Sequence, residues 1–159
     1  MSALNALLPH DGRWSLPRLV PMSATPAPKR GYRICIVDDD QPERKLLRLA
    51  LEGEGYAVEE ASNGQAALSL LRRSHHRFIV LLDMRMPVVS GTSVLRTVAN
   101  DHFLATRHAF ILITAWPDRP PELVSLLQTL SVPVVCKPFD LEELLNTIDQ
   151  VAGRLQAVS

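Results

Sequence analysis

Cysteine, net charge and long apolar runs are all in short supply in this 159-residue chain, and each shortage excludes something. Two cysteines, Cys35 and Cys136, are too few for a disulfide scaffold. Each lies in an apolar segment, so both are expected as reduced core residues of a cytoplasmic protein. Seventeen basic and seventeen acidic side chains cancel, so overall charge points neither to nucleic acid nor to an anionic membrane surface. The longest apolar stretches, such as Phe78 to Leu82, fall far short of the roughly 20 residues that span a bilayer. Residues Ala3 to Leu8 are mildly apolar but lack a basic prefix and soon meet His10, Asp11 and Arg13, which argues against a secretory signal. With 47% hydrophobic and 21% charged residues and only 7 glycines, the chain is neither collagen-like nor disordered throughout. Its length suits one domain with some excess.

The excess is expected at the start. Residues 1–31 hold Pro9, Pro17, Pro21, Pro26 and Pro28, show no sustained periodicity and read as a mobile leader. From Tyr32 to about residue 156, short apolar runs alternate with amphipathic stretches, the pattern of a parallel sheet covered by helices on both faces. Strands are expected at Tyr32–Val37, Tyr56–Glu60, Phe78–Leu82, Ala109–Thr114 and Pro133–Cys136. The second is the most polar and reads as an edge. Helix limits follow from Pro42 as a first-turn residue, the Gly53/Gly55 stop, a Ser62/Gln65 capping box and a matching Asp140/Glu143 pair. Leucine rows over Leu123–Leu130 and Leu141–Leu155 follow helical spacing and predict core faces, not zippers. Five strands and five helices make a three-layer α/β fold, a doubly wound five-stranded parallel sheet.

The chemistry gathers at strand ends, where ligands of open α/β sheets bind. The first strand runs into Asp38-Asp39-Asp40, the third into Asp83, the fourth into Thr114-Ala115 and the fifth into Lys137-Pro138-Phe139. If the first and third strands are neighbours, carboxylates converge. Two of them about 4 Å apart repel by roughly 4 kcal/mol at an effective dielectric of 20, so such a cluster needs a proton, a cation or a metal. Oxygen ligands suit Mg²⁺ or Mn²⁺, whereas Zn²⁺ would want His or Cys. Carboxylates, a hard cation, a lysine and a hydroxyl together suit a phosphoryl group, and an aspartate can be the nucleophile.

These motifs, with Asp83-Met84-Arg85-Met86-Pro87 followed by Gly91, resemble the receiver domain of bacterial two-component response regulators, with the flavodoxin/CheY-like fold. The resemblance implies strand order 2-1-3-4-5. It makes Asp83 the acceptor of phosphate from a phosphohistidine on a sensor kinase or phosphotransfer protein. Asp38, Asp39, Asp83 and the Arg85 backbone carbonyl would hold Mg²⁺, with Asp40 outside that shell. Lys137 would pair with Asp83 and then with the phosphate, and the Thr114 hydroxyl would move to a phosphate oxygen. Arg85 and Trp116 stand at two variable positions that affect how long the phosphate persists. Val134 replaces the usual Tyr or Phe, which puts the aromatic switch in question, and Pro117, Pro120 and Pro121 crowd the start of the fourth helix. A stand-alone domain is expected, signalling to a downstream protein and binding neither DNA nor membrane. The alternatives are a pseudo-receiver that binds without phosphorylation and an aspartate-nucleophile phosphatase. The latter wants an acid where Arg85 stands.

Overall fold

The computed structural model describes residues 30–116 and 118–157. The stretch read as a leader lies outside them, except for Arg30 and Gly31, as does Pro117. Five strands, β1 (Arg33–Val37), β2 (Val58–Ala61), β3 (Phe78–Asp83), β4 (Ala109–Thr114) and β5 (Val134–Cys136), form one sheet in the order β2-β1-β3-β4-β5. All four pairings are parallel. Because side chains alternate along a strand, β1 sends Cys35 and Val37 to one face and Ile34 and Ile36 to the other. The first face packs on α2 (Gly64–Arg73), α3 (Gly91–Ala99), α4 (His102–Arg107) and α5 (Pro121–Thr129) through Leu71, Val94, Leu104 and Leu123. The second packs on α1 (Gln41–Gly53) and α6 (Leu141–Ala157) through Leu51, Leu144 and Ile148. Phe78, Ile79, Val80 and Leu82 are wholly buried, which is why β3 carries an unbroken apolar run.

Several boundaries differ from expectation, each for a local reason. β2 starts at Val58, not Tyr56, because Tyr56 closes the end of α1. Its N–H donates to Leu51 O at 3.1 Å while Gly55, at φ +87°, donates to Glu52 O, a Schellman cap. The N-terminus of α2 is capped by Asn63, which accepts from Ala66 N–H at 2.8 Å, and not by Ser62. The Asp140 side chain does accept from Glu143 N–H, at 2.7 Å. A sixth helix, α4, follows α3; with six residues and only Leu104 buried, it has too little apolar spacing to announce itself. The helices read as fourth and fifth are therefore α5 and α6. Both cysteines are free, but only Cys35 is buried, with its thiol pushed up to about 12 by that burial; Cys136, at the end of the edge strand β5, is exposed. No helix among the described residues is long and apolar enough to cross a membrane.

One buried polar group ties the two central strands to the helical layer. His108, just before β4, accepts from Phe78 N–H at Nδ1 (3.1 Å), so its Nε2–H donates to Leu71 O (3.1 Å). Burial pushes its pKa down from 6.5 to about 4. The folded value lies below the unfolded one, so the contribution is complete above pH 6.5 and is lost as pH falls toward 4. The loss amounts to about 3 kcal/mol. Urea midpoints at pH 7 and pH 4.5 should show this extra fall in the parent and not in His108→Gln; equal falls would remove His108 as its source.

Candidate functional site

The register builds the site. Val37 pairs with Leu82 and Thr114 with Cys136, so the residues that follow these pairs leave the sheet together at its carboxyl edge. Asp38, Asp39 and Asp83 each bring a carboxylate oxygen to within 4.8 Å of the others. Lys137 places Nζ 3.8 Å from Asp38 Oδ2 and 3.9 Å from Asp83 Oδ1. Its nearest acceptor is a residue that sequence reasoning did not single out, Glu43 in the first turn of α1, at 2.9 Å. An acid three residues after Asp40 looks like a capping residue, which concealed it. Asp40 itself caps α1, accepting from Glu43 N–H at 3.0 Å, and stands outside the carboxylate cluster.

Thr114 is buried at the end of β4, but its hydroxyl engages its own turn, accepting from Trp116 N–H at 3.0 Å. Among the described residues the hydroxyl proton faces Met84 Sδ at 3.7 Å and Trp116 O at 3.5 Å, both weak partners. Arg85 gives Asp83 a backbone N–H, and its guanidinium lies 3.7 Å over the Trp116 ring, bridging the β3–α3 and β4–α5 loops. Val134 begins β5 partly buried opposite Leu112, packed on the core beside α5. α5 itself starts after Pro120 with no side-chain cap.

The loop after Asp83 is held tightly. Val89 N–H donates to Pro87 O at 2.8 Å around Val88, whose φ of 69° makes a γ-turn of the rarer, strained hand. Gly91 N–H donates to Met84 O at 3.0 Å, and a Cβ on Gly91 would meet Asp83 O at 2.8 Å. Only glycine lets α3 begin this close to the aspartate.

Burial raises Asp38 to about 6, opposed by the Asp40 N–H and reinforced by the charge on Asp83. Burial likewise raises Asp83, against Lys137 and the Arg85 N–H. Burial works against the Lys137 ammonium too, yet Glu43, Asp83 and Asp38 hold its pKa above the usual value. Carboxylates thus outnumber the one ammonium among them, and the all-oxygen donor set fits a hard divalent cation. A cleft of about 620 Å³ opens beside Asp38, Asp83 and Lys137, walled by Leu46, Leu47 and Phe139.

Residues 34–149 match the response regulator receiver domain family. The chain belongs to that family. Among its relatives, the regulatory protein AtoC of Escherichia coli is 37% identical over 126 residues, covering 79% of this chain and 26% of AtoC. Response regulator MprA of Mycolicibacterium vanbaalenii is 38% identical over 116 residues, covering 71% of this chain and 47% of MprA. The receiver thus spans a quarter to a half of the length of these relatives. Two solved receivers share the fold. The CheY-like receiver domain protein of Methanospirillum hungatei has a TM-score of 0.65 and 26% identity, covering 80% of this chain and 97% of that one. TrrA of Thermotoga maritima, solved with Mg²⁺ and BeF, has a TM-score of 0.65 and 29% identity, covering 76% and 98%. Membership establishes a two-component signalling role, in a family of regulators, not metabolic enzymes, whose members bind Mg²⁺ and work with sensor kinases and downstream targets.

Proposed function

We propose that this receiver accepts a phosphoryl group on Asp83 from a phosphohistidine of a sensor kinase or phosphotransfer protein in the cytoplasm, and passes the signal on by contact with another protein. The observation that carries the reading is the meeting of Asp38, Asp39 and Asp83 within 4.8 Å, beside the Lys137 ammonium. Asp38, Asp39, Asp83 and the backbone carbonyl of Arg85 would hold Mg²⁺ or Mn²⁺, whose charge offsets that of the phosphoryl oxygens. Asp83 attacks phosphorus with a carboxylate oxygen, the P–N bond to histidine breaks, and an acyl phosphate forms. Lys137 then pairs with the new phosphoryl oxygens. The Thr114 hydroxyl exchanges weak partners for a strong one and draws the β4–α5 loop inward. The changed surface would be α5, β5 and α6.

Incubation with a small acyl phosphate and Mg²⁺ should add one phosphoryl mass to the intact protein, and chelation of the metal should prevent it. Val134 favours a second reading, a binding module that needs no phosphate, because valine has no ring to rotate. An unlabelled but folded protein would select that reading.

Arg85 stacked on Trp116 would shield the acyl phosphate from water. An exposed cation–π contact contributes about 0.5–1 kcal/mol, so Trp116→Ala should shorten the phosphate lifetime about two- to fivefold. Arg85→Ala should match it, and the double variant should add little. An unchanged lifetime after donor removal would dismiss the shield.

A further inference from the structure

Glu43 has no part in the scheme above, yet it makes the shortest contact of the Lys137 ammonium, 2.9 Å against 3.8 Å to Asp38 and 3.9 Å to Asp83. A glutamate three residues after an aspartate N-cap ordinarily turns back to accept the cap's own N–H. That N–H is already taken here, because Asp40 N–H donates to Asp38 Oδ1 at 2.9 Å. The Asp40 side chain accepts from the Glu43 N–H, so the helix end is satisfied without the Glu43 carboxylate. The carboxylate instead crosses to a lysine 94 positions away. Helix capping therefore does not account for it.

We propose that Glu43 is a positioning residue that clasps Lys137 in the unphosphorylated receiver and so opposes phosphorylation of Asp83. The proposal rests on the acceptor role given to Asp83. Three carboxylates compete for one ammonium. A phosphoryl group on Asp83 brings nearly two further negative charges and claims Lys137 for itself. The Glu43 contact must then break, and Glu43 is left as an unpaired anion facing another. Both effects raise the phosphorylated form relative to the resting one. Lys137 thus has two stations, one at Glu43 and one at the phosphoryl group, and the length and charge of residue 43 set the balance between them.

The test uses the whole chain, Glu43→Gln, and beryllofluoride with saturating Mg²⁺ as the phosphoryl mimic. Lys137 is one of three lysines, so its ε-methylene resonance can be assigned with a Lys137→Arg control. In Glu43→Gln without beryllofluoride, that resonance should move toward its position in the beryllofluoride-bound parent. Exposed ion pairs contribute modestly, so beryllofluoride should bind Glu43→Gln about two- to fivefold more tightly than the parent. Glu43→Asp, which keeps the charge but is one methylene shorter, should fall between the two. An unmoved Lys137 resonance would overturn the clasp, and an equal or weaker affinity would overturn its opposition to phosphorylation. A parent that takes up no beryllofluoride would overturn the acceptor role and this proposal together, a result recognisable from the parent titration alone.

Discussion

Asp83→Asn protein, incubated with a small acyl phosphate and Mg²⁺, is expected to keep its fold and to carry no phosphoryl group. Asparagine matches aspartate in shape and can still accept the Arg85 N–H, but it is not a nucleophile toward phosphorus. The sheet register that positions residue 83 comes from β3 and its neighbours, not from the carboxylate. The substitution should also stabilise the metal-free protein. It removes one of three mutually repelling carboxylates from a half-buried site where burial already raises the pKa values of Asp38 and Asp83. With charges about 4 Å apart worth up to roughly 4 kcal/mol at an effective dielectric of 20, and Lys137 offsetting part of this, a gain of about 1 kcal/mol is expected. Saturating Mg²⁺ should erase that advantage, because the parent gains more from the cation than the variant does. Melting temperatures with and without Mg²⁺, read beside the intact mass, check both statements. Retained labelling in Asp83→Asn would move the acceptor to another residue.

Gly91→Ala is expected to damage stability and labelling together. The new methyl would lie 2.8 Å from Asp83 O and 2.9 Å from Met84 Cα, and both are backbone atoms that cannot swing aside as a side chain can. Relief requires α3 to lift from the end of β3, which stretches the Gly91 N–H bond to Met84 O and unpacks Val94 and Leu95 from the core. Overpacking of this kind costs about 1–3 kcal/mol, and the upper end applies where the obstacle is backbone. The same movement pulls on the loop that leaves Asp83 and carries the Arg85 N–H that Asp83 accepts, so labelling should slow by more than the loss of folded protein explains. Urea midpoints and the initial rate of mass gain would measure the two effects. A variant within about 0.5 kcal/mol of the parent would mean that this loop yields easily.

Much of this architecture is legible in the residues because strands buried on both faces must be apolar throughout. β1, β3 and β4 declare themselves that way, and the groups just beyond their ends then fall into one place. What escaped depends on contacts between distant segments or on competition between local groups. Tyr56 has strand character but is spent on the cap of α1. Ser62 and Asn63 are both good caps, and only the path of the chain decides for Asn63. Cys136 sits in an apolar run, yet β5 is a three-residue edge whose last side chain faces outward. At the site, Asp38, Asp39, Asp83 and Lys137 gather as their strand positions predict, but the direction of a side chain is not written in spacing. Nothing local turns Glu43 toward Lys137 or stacks Arg85 on Trp116, and the Thr114 hydroxyl, free to reach a phosphoryl group or its own turn, takes the Trp116 N–H two residues on.

The contrast between the two thiols gives the molecule a built-in reporter position. Cys35 is sealed beneath the helices with a thiol pKa of about 12, so an alkylating reagent at neutral pH meets almost no thiolate there. Cys136 stands open on the edge strand, immediately before Lys137. A fluorinated or paramagnetic tag delivered through thiol chemistry would therefore settle at a single address, one residue from the ammonium whose movement matters most. The natural sequence can be watched while it works.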